Sequence, residues 1–185
     1  MNDGIAVTCN VRITARERGK LVTVREGHNV WTNAGREYDC LIKTYNPATA
    51  AGYRNDRIDY IGLGTGAQLE SVSVTSLVTP VTYDGNNFLA QFNRDRTIFP
   101  LEPTRTAVRY IRTFAEDEIS FAEGTIYVTE CGLFTDGDPD QDYTPGTRVT
   151  DIVRAEFQVP IAYHSFEPIP KSQAVELEII WELRH

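Results

Sequence analysis

Residues 175–182 alternate in polarity. Val175, Leu177, Ile179 and Trp181 fall on one side, Glu176, Glu178 and Glu182 on the other, with Ile180 as the one apolar residue among the acids. A period of two is that of an extended strand with one face in a core and one toward water; a helix would scatter these residues round its axis. Ile180 predicts that the second face is partly covered too. The rest of the chain must therefore supply a sheet for this strand to pair with and a layer for its apolar face to meet.

Further strands are predicted by the same patterning. Ile5, Val7, Cys9, Val11 and Ile13 share one side of a segment that reaches a turn at Glu17-Arg18-Gly19-Lys20; Leu21 to Arg25 resumes the pattern, giving a β-hairpin that ends at Gly27. Ile58–Leu63, Ala107–Phe114, Thr125–Phe134 and Val149–Val159 add strands, with 107–114 and 125–134 expected in central positions. Residues 72–83, rich in Val, Thr and Ser and carrying Pro80, suit one or two short edge strands. One helix is predicted, from about Asn33 to Tyr45. Ala34, Tyr38, Leu41, Ile42 and Tyr45 share a face, Thr32 or Asn33 caps the start, Glu37 is assigned to the first turn, and Asn46-Pro47 ends it. The expectation is a mainly β chain: an antiparallel β-sandwich, jelly-roll-like, with one α-helix (about residues 33–45) and long loops, forming a single domain over 1–185.

Composition narrows the partners. The net charge of −8, from 26 acidic and 18 basic residues without a long block of either sign, opposes a phosphate backbone, so no nucleic-acid partner is expected. No stretch approaches the roughly 18 consecutive apolar residues of a membrane span, and the N-terminus shows no secretory pattern, so no membrane partner is expected. Cys9, Cys40 and Cys131 have no C-x-x-C spacing and read as small buried hydrophobes in a reducing compartment, with a pairing between subunits left open.

Four motifs bear on chemistry. Gly62-Leu63-Gly64-Thr65-Gly66-Ala67 matches G-x-G-x-x-A after a strand, with Asp84 at a spacing suited to a ribose, but the residues after it are poor helix formers and a dinucleotide needs a helix N-terminus there. No cofactor is expected; Gly62, Gly64 and Gly66 are read as a structural turn at positive φ. Asp136, Asp138, Asp140 and Asp142 alternate as calcium ligands do, yet Gln141 stands where an EF-hand loop has glycine and Thr147 where it has glutamate, so a solvated acidic loop is preferred to a metal site. His28, His164 and His185 have no metal-ligand spacing, and nothing in the sequence joins Cys131 to His164 as a dyad. Glu130, inside a strand before Cys131-Gly132, needs a partner if buried: Arg109, Arg112 or main-chain N–H groups. No catalytic residue is assigned. Phe88, Phe92, Ile98, Phe99 and Leu101, scattered through a polar stretch at 84–106, are candidate interface residues.

Taken in order, Tyr60-Ile61-Gly62-Leu63-Gly64-Thr65-Gly66, Ser76-Leu77 and Glu130-Cys131-Gly132-Leu133-Phe134, preceded by the helix and followed by Lys171 and the last strand, resemble structural proteins of tailed-bacteriophage virions. The likeness spans residues 28 to 183, with 84–106 and 135–147 resembling insertions. It implies a non-enzymatic subunit of neck or collar, tail, baseplate or fibre type, made in the host cytoplasm and built into the virion, with other virion proteins and copies of itself as partners. The alternative is a carbohydrate- or host-surface-binding β-sandwich module, with Trp31, Tyr45, Tyr53, Tyr83, Phe88 and Tyr143 as its platform.

Overall fold

The computed structural model describes residues 8–44, 58–83, 86–92, 106–119, 124–135 and 159–184. Their strands are β1 (Thr8–Glu17), β2 (Lys20–His28), β3 (Val30–Trp31), β4 (Ile58–Gly64), β5 (Thr82–Tyr83), β6 (Asn86–Asn87), β7 (Leu89–Gln91), β8 (Ala107–Phe114), β9 (Ile126–Thr135), β10 (Ala162–Lys171) and β11 (Val175–Arg184), with one helix, α1 (Asn33–Thr44). Two antiparallel sheets pack face to face as a β-sandwich. Sheet A runs β2-β1-β11-β8 and sheet B runs β3-β10-β9-β4-β7, while β5 and β6 form a small hairpin of their own.

The alternating strand is β11, at the heart of sheet A. It pairs with β1 from Thr8↔Arg184 to Glu17↔Val175, and with β8 from Ala107↔Arg184 to Phe114↔Leu177. Cross-strand partners share a face, so Cys9, Val11, Ile13 and Ala15 line up with Leu183, Trp181, Ile179 and Leu177, all at most 3% exposed. Against this row sheet B sets Ile61, Leu63, Ala90, Cys131, Leu133 and Ala162. The β1–β2 turn is a two-residue loop with Arg18 at φ 49° and Gly19 at φ 75°, the left-handed pair whose twist matches that of a hairpin. On the other face of β11, Ile180 stands opposite Ile111, which is 8% exposed, so that face is partly covered as expected.

The helix begins where its cap predicts. Thr32, fully buried, accepts the Gly35 N–H at 3.2 Å through Oγ1, and its hydroxyl lies 2.7 Å from the Pro160 carbonyl. No acid lies in the first turn: with Thr32 as the cap, Glu37 falls in the second. Tyr38 packs against the core; Leu41, Ile42 and Tyr45 lie outside the described side chains.

Three predictions about strands need correction. β8 is an edge strand of sheet A, whereas β9 is central in sheet B as expected. Of residues 72–83 only Thr82–Tyr83 is a strand, β5, while residues 65–81 form an irregular strap with an isolated bridge to β4 at Gly64↔Pro80. The reading of 84–106 as loop missed β7, which pairs with β4 through Ile61↔Ala90. β10 was not foreseen, because Pro168 and Pro170 break its pattern; a register shift between Ser165 and Ile169 accommodates them, on a strand whose far edge meets β3 only at Ala162 and Tyr163.

β10 ends on Lys171, a fully buried cation whose Nζ donates to the carbonyls of Ala115 (2.9 Å), Glu116 (2.9 Å) and Ser172 (3.1 Å), fixing the turn after β8. Burial pushes its pKa down from 10.5 to about 8, against the opposing pull of Glu118, Asp117 and Glu116. Below about pH 8 both folded and unfolded chains hold this proton. Between 8 and 10.5 the unfolded chain holds more of it, so this group makes the fold more stable as pH rises through that window. NMR titration of the Lys171 side chain is expected to give a midpoint near 8; a midpoint near 10.5 would contradict the burial described.

Candidate functional site

Every residue of β4 is buried, a pattern that a strand with one solvent face cannot give. One face meets sheet A. The other is covered by the strap, which brings Val74 and Leu77 down onto Tyr60, Leu89, Phe134 and Tyr163 as a second, smaller apolar cluster. The strap leaves β4 at Gly64 and returns beside it: Thr65 N–H donates to the Thr79 carbonyl at 2.8 Å, and Val81 N–H to the Leu63 carbonyl at 2.8 Å.

Glycines make the close approach possible. A Cβ on Gly62 would lie 2.8 Å from the Phe134 ring and 3.2 Å from a Leu77 methyl; one on Gly66 would lie 2.6 Å from Val78 Cβ; one on Gly64 would overlap the Glu130 carboxylate. The expected positive φ is not the reason for these residues, since Gly19 and Gly124 are the described glycines that adopt it. What matters at Gly62, Gly64, Gly66 and Gly132 is the absent side chain, which lets backbone lie on backbone.

Glu130 fills the space that Gly64 leaves. Fully buried, it accepts the N–H of Val78 at 3.1 Å and of Thr79 at 3.0 Å, and the Tyr163 hydroxyl donates to it at 2.9 Å. Burial and then the Glu130 contact push the Tyr163 phenol far up, keeping it a donor; its oxygen lies 3.4 Å from Gln68 N and takes that N–H in turn. Thr129 Oγ1 donates to the Gly66 carbonyl, and Gln68 Nε2 reaches the Ser76 carbonyl at 2.9 Å across the strap. The partner of Glu130 is thus the strap's main chain. The arginines considered for it are engaged on sheet A, Arg109 with Glu182 and Arg112 with Glu118.

A second carboxylate holds the strap's other limb. Glu70 accepts the Ser165 N–H at 2.9 Å and meets His164 Nδ1 at 2.7 Å. The imidazole lies against Gly27 of β2, where a Cβ would stand 2.5 Å from Cε1. Cys131 and His164, unconnected by any motif, are register partners across β9 and β10. The Cys131 thiol is fully buried, however, and burial followed by the nearby Glu70 and Glu130 charges raises its pKa well above the ordinary range, the opposite of an activated nucleophile.

Of the interface candidates, Phe88 and Phe92 are each 4% exposed and belong to the domain's own core, with Phe92 5.3 Å from the Tyr110 ring; Ile98, Phe99 and Leu101 lie outside the described residues. So do Asp136, Asp138, Asp140 and Asp142. Among the described residues no group of three His, Cys, Asp or Glu side chains could hold a metal ion. Cys9 and Cys131 are buried free thiols. Of the aromatic platform, Phe88 is buried and Trp31 packs against the core. No protein-family model matches the chain, nor does any curated protein or solved structure.

Proposed function

We propose that the chain is a non-enzymatic structural subunit of a tailed-phage virion, a neck or collar, tail or baseplate component, acting through contacts with other virion proteins and with copies of itself. The supporting observation is that the scattered motifs carrying the phage resemblance converge on one piece of architecture. Gly62, Gly64, Gly66, Leu77, Glu130, Gly132 and Phe134 build the clamp that seats the strap on sheet B. The polar groups of this site are engaged in holding main chain: Glu130 on Val78 and Thr79, Glu70 on Ser165. That is the work of a building block. The clamped strap also presents Leu69 at 91% exposure, with Val72 and Val78 part-exposed, as apolar contact points for a neighbouring copy.

Such a subunit, made in the host cytoplasm and incorporated into the particle, should bury more than about 1,000 Å² against its neighbours. Light scattering across a concentration series, with and without calcium, is expected to give a defined ring or trimer or growth into larger assemblies. Leu69→Asp is expected to lower that mass without unfolding the domain. A calcium-insensitive monomer at every concentration would count against the reading.

A further inference from the structure

Sheet A ends in β2 on one side and β8 on the other, with β1 and β11 between them. One step beyond the His28↔Asn10 pair, the Asn29 N–H donates to the Cys9 carbonyl at 3.3 Å. Cys9 and Asn29 are thus a hydrogen-bonded pair, and since such pairs alternate along an antiparallel ladder, this one fixes the direction of the main-chain groups across the sheet. Carried through the registers of β1 with β11 and of β11 with β8, the alternation turns the N–H and C=O groups of Val24, Glu26 and His28 outward from β2, and those of Ala107, Arg109 and Ile111 outward from β8. Among the described residues no other main chain meets them; the Val24 carbonyl takes the guanidinium of its neighbour Arg25 at 3.2 Å. Such an edge is a template for a further strand.

The strand that fits β2 is β8 of a second copy. The strands of sheet A alternate in direction, so a copy set beside the first in the same orientation presents its β8 antiparallel to β2. Outward groups meet outward groups when even-numbered residues of β2 face odd-numbered residues of β8, and the register Glu26↔Arg109 does this together with Val24↔Ile111 and His28↔Ala107. The side chains agree with the main chain. Glu26 and Arg109 stand on the outer face with side chains 65% and 32% exposed, and the row across the junction reads Glu182, Arg109, Glu26, Arg12, charges of alternating sign. The next row reads Ile180, Ile111, Val24, an apolar run continued from one copy into the other. Other edges fit less well. β2 against itself, in any register longer than a contact at Gly27, sets Glu26 on Glu26, sets Arg25 on Arg25 or runs through the bulge opposite Ala15 and Arg16. β10 carries Pro168 and Pro170 beyond its pairing with β3, and β7 is only Leu89–Gln91.

We propose that sheet A continues from copy to copy, β8 of one chain pairing with β2 of the next in the register Glu26↔Arg109, so that copies join head to tail. Such a contact closes into a ring or runs on as a filament according to the rotation between copies. The inference rests on the assembly reading for its partner and gives that reading a second surface, separate from the strap on sheet B. The test is the full-length double variant Val24→Cys/Ile111→Cys in a Cys40→Ser background. Within one chain these positions lie three strand spacings apart, about 14 Å, beyond the roughly 7 Å reach of a disulfide. Between copies the register makes them direct partners at about 5.5 Å. Oxidation is expected to give a ladder of covalent oligomers on a non-reducing gel, and a mixture of the two single variants to give a dimer linking position 24 to position 111. His28→Cys/Ala107→Cys probes the same register should the first pair fail to fold. Glu26→Pro removes an outward N–H and the carboxylate while leaving the β1–β2 ladder whole, and is expected to reduce the covalent ladder at least about tenfold with the circular dichroism unchanged. Leu69→Asp should leave the ladder intact. Chains that stay unlinked, links of 24 to 24 or 111 to 111 alone, or a ladder indifferent to Glu26→Pro would overturn the proposal. An oligomeric mass that persists without a ladder overturns this pairing alone; a monomer at every concentration overturns the assembly reading with it.

Discussion

Replacing Glu130 by alanine is expected to destabilise the fold by about 3 kcal/mol, because the loss strands several donors at once. The carboxylate is the acceptor for Val78 N–H, Thr79 N–H and the Tyr163 hydroxyl, and the space it vacates lies beneath the strap. Val78 and Thr79 are exposed enough for water to recover part of the cost, which holds the estimate below the sum of three unsatisfied buried groups. Urea unfolding measures the size, and hydrogen exchange locates it: amides 78 and 79 should lose protection while those shared by β1 and β11 keep theirs. Glu130→Gln, which retains one acceptor, should fall between variant and parent. An unchanged midpoint for the alanine variant would mean that the apolar contacts of Val74 and Leu77 and the strap's other hydrogen bonds hold it without Glu130.

Gly64→Ala is expected to cost about 2–3 kcal/mol by overpacking, although alanine is the better strand residue in isolation. The new methyl would fall on the Glu130 side chain, 2.7 Å from its Cγ, and that side chain cannot withdraw without dropping both strap N–H groups. The two residues should therefore be coupled. In a Glu130→Ala background the obstacle is gone, and Gly64→Ala is expected to cost less than about 1 kcal/mol, a coupling of more than about 1 kcal/mol in a double-mutant cycle. Additivity within about 0.5 kcal/mol would show that Gly64 is required for another reason.

What was legible in the sequence was local. The period of two in β11, the turn at Arg18-Gly19 and the Thr32 cap each act within a few residues, and each appears in the structure as read. The strap was not legible. Its hold on the sheet joins Glu130 to main chain about fifty residues away, and a main-chain N–H has no sequence signature. The one available signal was the nearly unbroken apolar run Tyr60-Ile61-Gly62-Leu63-Gly64 with glycines on alternate positions 62 and 64, which reads as a turn but marks a strand covered on both faces. β10 was hidden by its own prolines. Phe88 and Phe92 looked like surface in a polar stretch because β7, too short to show a period, carries that stretch into the core.

The pairing of β1 with β11 ties together segments from nearly opposite ends of the sequence. During synthesis at about 5–20 residues per second, the first hairpin waits roughly ten to thirty seconds before its main partner strand has been made. Throughout that interval Cys9, Val11, Ile13 and Ala15 have no Leu177, Ile179, Trp181 or Leu183 beside them, and the row lies open to other chains in the cell. Closing so long a loop precedes any reward from the contacts it makes, so sheet A is expected to form only once β11 has been made, and slowly, as in other proteins of high contact order.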